Sequence, residues 1–114
     1  MADQSDSDET SGRVIDGIVR FPESNLFVLA LLEEREWDGA PHVRSDFIKR
    51  VREYLTFILS GQLALAYPDS TKARIRIDLN CTHDPDEEGW NVIRGVKAEV
   101  EANGVLFGYR RLPR

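Results

Sequence analysis

The stretch RIRIDLNC, Arg74–Cys81, decides the fold class of this chain. Its residues alternate between an apolar set, Ile75, Ile77, Leu79 and Cys81, and a polar set, Arg74, Arg76, Asp78 and Asn80. A period of two is typical of a strand in a sheet with one dry face and one solvated face. The dry face needs a covering layer, and amphipathic helices elsewhere in the chain can supply it.

Two segments have the periodicity of such helices. The first is predicted from Pro41 to Ser60, because its apolar residues, from Val43 to Leu59, recur every three or four positions and Gly61 follows as a stop signal. The second is predicted to begin after Asp84 as the capping residue and to stop at Asn103-Gly104. Both helices therefore have an apolar stripe to bury.

Three further strands complete the pattern. They are predicted over Val14–Phe21, Leu26–Leu32 and Val105–Arg110. One or two extra helical turns are predicted over Gln62–Tyr67. The order ββαβαβ predicts an α+β two-layer sandwich, in which two helices cover one face of a four-stranded mixed sheet. The first two strands are predicted to form an antiparallel hairpin. The two strand-helix-strand steps favour right-handed crossovers, which give parallel pairing. This pattern does not predict the order of the strands in the sheet.

The negative charge is concentrated at the N-terminus. The chain has 15 basic and 20 acidic residues, and residues 1–12 hold four of the acidic ones and no Lys or Arg. We expect residues 1–12 to form a disordered acidic tail, because so few apolar groups cannot offset the entropy of ordering. Residues 13–114 are predicted to form a single, nearly neutral domain.

Composition and motifs also limit which cellular compartment and which chemistry we expect for this chain. One cysteine, Cys81, cannot form an internal disulfide, and the longest apolar run, Leu26–Leu32, is far shorter than a membrane span. We expect a cytoplasmic protein with no membrane contact. The chain contains no phosphate-binding loop, zinc-protease or nucleophile-elbow motif, so no cofactor and no catalytic residue is predicted.

Several motifs resemble a family of small bacterial domains of unknown function. They are Val14–Ile18 at the first strand, Trp37-Asp38 before the first helix, and after it Tyr54–Ile58, Ser60–Leu63 and Ala66–Asp69. The resemblance spans roughly residues 14–80. It implies a fold and a bacterial source but no activity, and therefore no catalytic residue.

Two groups of residues are candidates for binding. Trp37, Asp38 and His42 lie at a strand-to-helix junction, where an aromatic ring among charged residues is typical of recognition sites, although a packed lid over the core is the commoner role. Arg74 and Arg76 give the solvated strand face a positive character. Few aromatic residues accompany them and the chain is acidic, which disfavours nucleic acid as a partner.

Cys81 and His83 form the one cluster of thiol and imidazole in the sequence. A shared metal ion or a nucleophile pair needs both side chains on one side, whereas strand alternation places Cys81 toward the core. No metal site is predicted.

Two functions remain. The first is a non-enzymatic module that binds another protein, for instance an accessory or immunity-type protein encoded beside its partner. The second is a small ligand-binding or enzymatic domain that uses the Trp37 region. Homodimerisation through an exposed edge strand is compatible with either.

Overall fold

The computed structural model describes residues 16–37 and 41–113. It contains four strands, β1 (Gly17–Phe21), β2 (Leu26–Glu33), β3 (Arg74–Cys81) and β4 (Leu106–Arg111), and three helices, α1 (Pro41–Leu59), α2 (Gln62–Ala66) and α3 (Glu87–Ala102). Short 3-10 segments occupy Pro22–Ser24 and Pro68–Lys72. The predicted acidic tail and the first two residues of the predicted first strand lie outside the described residues, and the domain boundary at residue 12 stays a prediction.

The sheet is mixed, and its strands lie in chain order, β1-β2-β3-β4. β1 and β2 form the predicted antiparallel hairpin, while β2 pairs with β3 and β3 with β4 in parallel. Each crossover thus places the new strand directly beside the previous one. The α+β class and the mixed pairing are confirmed.

One face of the sheet is covered by helices. Register places Leu29 beside Ile77 and Leu31 beside Leu79, and these residues belong to one buried cluster with side chains of both long helices. The helices supply Phe47, Val51, Tyr54, Ile93, Val96 and Val100 to this cluster. We call the side of the sheet that packs against the helices the covered face, and we call the opposite side the open face.

Two local predictions about the helices are wrong. α3 is capped by Asp86, whose Oδ1 accepts a hydrogen bond from the Gly89 N–H at 2.7 Å, and not by Asp84. Asp84 instead forms an ion pair with Arg111, with Nε 3.0 Å from Oδ1. Leu59, assigned to the apolar stripe of α1, is 55% exposed because the helix ends there, before Gly61 takes a φ of +92°.

The described residues contain no helix that is long and apolar enough to cross a membrane.

Candidate functional site

The open face carries apolar side chains that no other element covers in the described part of the chain. Alternation along β1 turns Val19 and Phe21 to this face, and on β4 it turns Leu106. Their exposed fractions are 46%, 41% and 39%. Large apolar side chains that stay accessible on one sheet face are typical of an interaction surface.

An ion pair crosses the middle of the open face. The Nε atom of Arg76 lies 2.7 Å from Oδ1 of Asp78, and its Nη2 donates to Oδ2 at 3.1 Å. Gly108 makes room for this pair, because a Cβ atom there would lie 2.5 Å from the Asp78 carboxylate. The two side chains therefore lie flat against β4, and Asp78 neutralises Arg76.

Two further arginines are at the border of this face. Arg74 is exposed and its Nη2 donates to the carbonyl oxygen of Ser24 at 3.4 Å, next to the β1–β2 turn. Arg110 is also exposed, and register with Asn80 places it on the open face. Among the described residues of the strands, one aspartate, Asp78, stands against three arginines on the open face, which is positive on a chain whose net charge is −5.

Trp37 is part of the core. Its indole is 3% exposed and meets the ring of Phe47 edge to face, with centroids 5.4 Å apart. It also packs against the first turn of α3, where a Cβ atom on Gly89 would lie 2.8 Å from the ring. In this conformation the indole closes the end of the core, and its binding role stays a prediction.

The remaining predicted site residues are divided between two places. His42 is exposed in the first turn of α1, and Asp38 lies outside the described residues. Arg74 pairs in register with Leu26 at the start of β2, whereas Trp37 follows the end of that strand. At about 3.3 Å per residue, the length of the strand separates them by more than 20 Å. The structure therefore brings Arg74 and Arg76 together but does not join them to Trp37.

A buried ionic network lies between the end of β2 and α1, and no pattern in the sequence predicted it. The carboxylate of Glu33, 1% exposed, accepts hydrogen bonds from Arg35 Nε at 2.8 Å and Nη2 at 2.7 Å. Arg50 Nη1 lies 3.5 Å from the same carboxylate. The hydrogen bond to Glu33 is the largest cause of the raised pKa of Arg35, which also binds Asp46.

The network extends to the start of β1 through Asp16 and Tyr54. The Tyr54 hydroxyl donates to the carbonyl oxygen of Ala30 at 2.8 Å and accepts from the N–H of Asp16 at 3.0 Å. The Asp16 carboxylate accepts from the Leu32 N–H at 2.7 Å and from Arg50 at 3.0 Å. Burial raises the pKa of Tyr54 above its usual range. These contacts hold the β1–β2 hairpin against α1. The polar groups of Tyr54 and Asp16 are thus hydrogen-bonded within the domain.

Cys81 and His83 lie in different environments. Cys81 is fully buried on the covered face, and this burial raises the pKa of its thiol to about 12. His83 is partly exposed, with Nε2 3.8 Å from a Glu36 carboxylate oxygen and Nδ1 3.1 Å from the Thr82 hydroxyl. No group of three metal-binding side chains occurs in the described residues. A thiol with this pKa is protonated at neutral pH and is a poor nucleophile.

The geometry defines a two-layer α+β domain with one closed and one open sheet face. The sequence profile of a family of unknown function, DUF6572, matches residues 9–112, so the chain belongs to that family. This confirms the resemblance to an uncharacterised family of small domains. Neither the curated proteins nor the solved structures contain a significant match to the chain.

Proposed function

We propose that this chain is a small, non-enzymatic bacterial protein that binds another protein through the open face of its sheet. The observation that carries the proposal is the accessible apolar group of Val19, Phe21 and Leu106 on a face that also holds Arg74 and Arg76. Interfaces typically combine an apolar centre with a polar rim that includes arginine.

Charge indicates the chemistry of the partner. Arg74, Arg76 and Arg110 outnumber Asp78 on the open face, although the whole chain is acidic. A partner surface with carboxylates around an apolar centre would complement this arrangement and would be steered toward this face. Binding should therefore weaken as salt screens the charges.

The Trp37 end of the domain supports this proposal over an enzymatic one. The Cys81 thiol, with a pKa of about 12, and the buried Trp37 indole offer neither a reactive nucleophile nor an exposed aromatic anchor. Glu33, the buried carboxylate nearby, is held by Arg35 and Arg50. These groups have structural partners, whereas the apolar side chains of the open face remain accessible.

The cellular setting follows from the same proposal. A single buried cysteine suits the reducing cytoplasm, where the protein would act as an accessory or immunity-type partner of a neighbouring gene's product. The partner would be the other protein of that pair, recognised by its acidic contact surface.

Affinity capture from a lysate of the source organism, followed by direct titration, tests the proposal. Leu106→Lys and Arg74→Glu alter the open face, while Leu59→Lys makes an equivalent change at the exposed end of α1. The proposal expects a protein that the wild type and L59K recover equally. The dissociation constant of the complex with that protein should rise about tenfold or more in L106K, because the variant loses an apolar anchor of the proposed interface.

Two outcomes would contradict this proposal. Equal affinity of L106K, R74E and the wild type for the recovered protein would place its contact elsewhere on the chain. Recovery of nucleic acid that depends on Arg74 would make the open face a phosphate-binding surface instead.

A further inference from the structure

The outer edge of β1 is unpaired in the part of the chain that the structure describes. β1 is the first strand of the sheet order, and its last three residues are exposed. Edge strands present free N–H and C=O groups, and native proteins protect them with charge or cover them. The other edge, β4, ends in Arg110-Arg111; Asp84 pairs with Arg111, and the exposed Arg110 protects this edge by charge. β1 has one charged residue, Arg20, whose Nη1 lies 3.1 Å from Asp69.

A cleft of about 310 Å³ lies beside β1 on the covered-face side. It is lined by Ile18 and Arg20 of β1, by Phe27 of β2, and by Tyr67-Pro68. The Phe27 and Tyr67 rings are 6.0 Å apart, and the Arg20 guanidinium lies 5.7 Å from the Phe27 centroid. The edge is thus apolar on both faces of the sheet, with its one cation neutralised.

We propose that a second copy of this chain binds this edge, with the two β1 strands antiparallel about a two-fold axis at Val19. Val19 is the middle residue of β1, so it faces the partner's Val19. Ile18 then faces the partner's Arg20, and Gly17 the partner's Phe21. The product is a continuous eight-stranded sheet with the helices of both copies on the same side.

Size and charge are complementary in this register. The exposed Phe21 ring lies over the partner's Gly17, the one residue of β1 without a side chain. Arg20 lies beside an isoleucine and not beside the partner's Arg20, so no like charges meet. Val19, 46% exposed in one copy, gains an apolar neighbour of the same kind.

The proposed interface is small, so we expect the dimer to be weak. β1 is about 17 Å long, and stable dimers bury about 800 Å² per partner, so the facing clefts and the exposed Tyr67 rings must contribute. Each copy also carries a net charge of −5. We therefore expect a dimer that depends on protein concentration and becomes stronger as salt screens the repulsion between copies.

Charge placed at the two-fold axis tests the register. Val19→Lys and Val19→Glu each put two like charges opposite one another, so each variant alone should dissociate at least tenfold more readily than the wild type. An equimolar mixture of V19K and V19E puts opposite charges together and should restore the dimer. Sedimentation equilibrium of the full chain measures all of these states.

Matched controls use exposed leucines away from this edge. Leu106→Lys on β4 and Leu59→Lys on α1 should leave the dimer unchanged. A wild-type chain that stays monomeric up to about 0.5 mM, well above the range of specific dimers, would overturn the proposal. So would a dimer that survives in V19K, or a V19K and V19E mixture that stays monomeric. Because L106K disrupts the proposed partner contact alone, the two proposals fail separately.

Discussion

The two faces of the sheet are built from the same strands but have opposite chemistry. On β3, Ile77 and Leu79 are fully buried on the covered face, while the intervening Arg76 and Asp78 lie partly exposed on the open face. On β4, Phe107 enters the core and Leu106 stays accessible. Alternation along a strand gives each face its own set of side chains. One face can therefore stabilise the fold while the other is left for recognition.

The contrast extends to charged residues. On the covered side, Glu33 is enclosed by Arg35 and Arg50, so its charge is used within the domain. On the open side, Arg74 has a single long hydrogen bond to a backbone carbonyl oxygen. Charges with internal partners hold elements together, whereas an exposed arginine keeps its donors accessible to another molecule.

The largest expected effect compares one phenylalanine from each face. Phe47→Ala removes a fully buried ring from the core, and we expect it to lower the free energy of unfolding by about 3–5 kcal/mol. Phe21→Ala removes a ring that is 41% exposed, and the loss should stay below about 1.5 kcal/mol. Urea unfolding of both variants gives the comparison. Similar losses would mean that the open face is covered in the folded protein.

A second test compares two neighbouring carboxylates. Glu33→Gln leaves the guanidinium groups of Arg35 and Arg50 without their buried charge partner, and should lower the free energy of unfolding by about 1–3 kcal/mol. Glu34→Gln, at the adjacent exposed position, should change it by less than about 0.5 kcal/mol. Chemical denaturation in low and high salt measures both. Equal effects would show that the Glu33 network contributes no stability.

The third test uses pH and the covered face. Burial raises the pKa of Cys81 from 9.0 to about 12, so the folded state favours the protonated thiol. The contribution is fully present below pH 9 and is lost as pH rises toward 12, because the unfolded chain ionises first. At pH 10 the wild type should have lost about 1.4 kcal/mol of this contribution.

Cys81→Ala separates this effect from other groups. Burial is the largest cause of the raised pKa of Tyr54 and of Tyr109, and it acts in both proteins, so these contributions largely cancel when the unfolding free energies are subtracted at each pH. The difference between wild type and C81A should shrink between pH 8 and pH 10. A constant difference would mean that the thiol is accessible to solvent in the folded state.

The smallest expected effect belongs to the open face. Arg74→Ala should change the free energy of unfolding by less than about 0.5 kcal/mol, because the side chain is exposed and has one weak hydrogen bond. Thermal unfolding measured beside R74E and the wild type checks this. A large loss would assign Arg74 to the stability of the hairpin and remove it from the recognition surface.

Elements with strong local periodicity were predicted well. The bounds of the third strand, Arg74–Cys81, are confirmed without change, and the first long helix, predicted to Ser60, ends at Leu59. The α3 cap was assigned two residues too early. Asp84 and Asp86 both have the side chain of a capping residue, and the choice depended on Arg111, which lies far along the chain and pairs with Asp84.

The site was predicted less completely, because it depends on pairing between distant segments. Arg74 and Arg76 were recognised from strand alternation. The sequence did not show that Val19, Phe21 and Leu106 would share their face, since this requires the register of β1 with β2 and of β3 with β4. The spacing of Glu33, Arg50 and Asp16 likewise has no local signature, because the three meet only when α1 packs beside the hairpin.

The sequence by itself determined the α+β class, the order ββαβαβ and which residues of the best strand point to the core. These follow from periods of two and of three to four residues, which act within a few neighbours along the chain. Tertiary structure alone decided the strand order, the burial of Trp37 and Glu33, and the composition of the open face. Those features arise from contacts between residues far apart in the chain, and such contacts form only once the helices cover one face of the sheet.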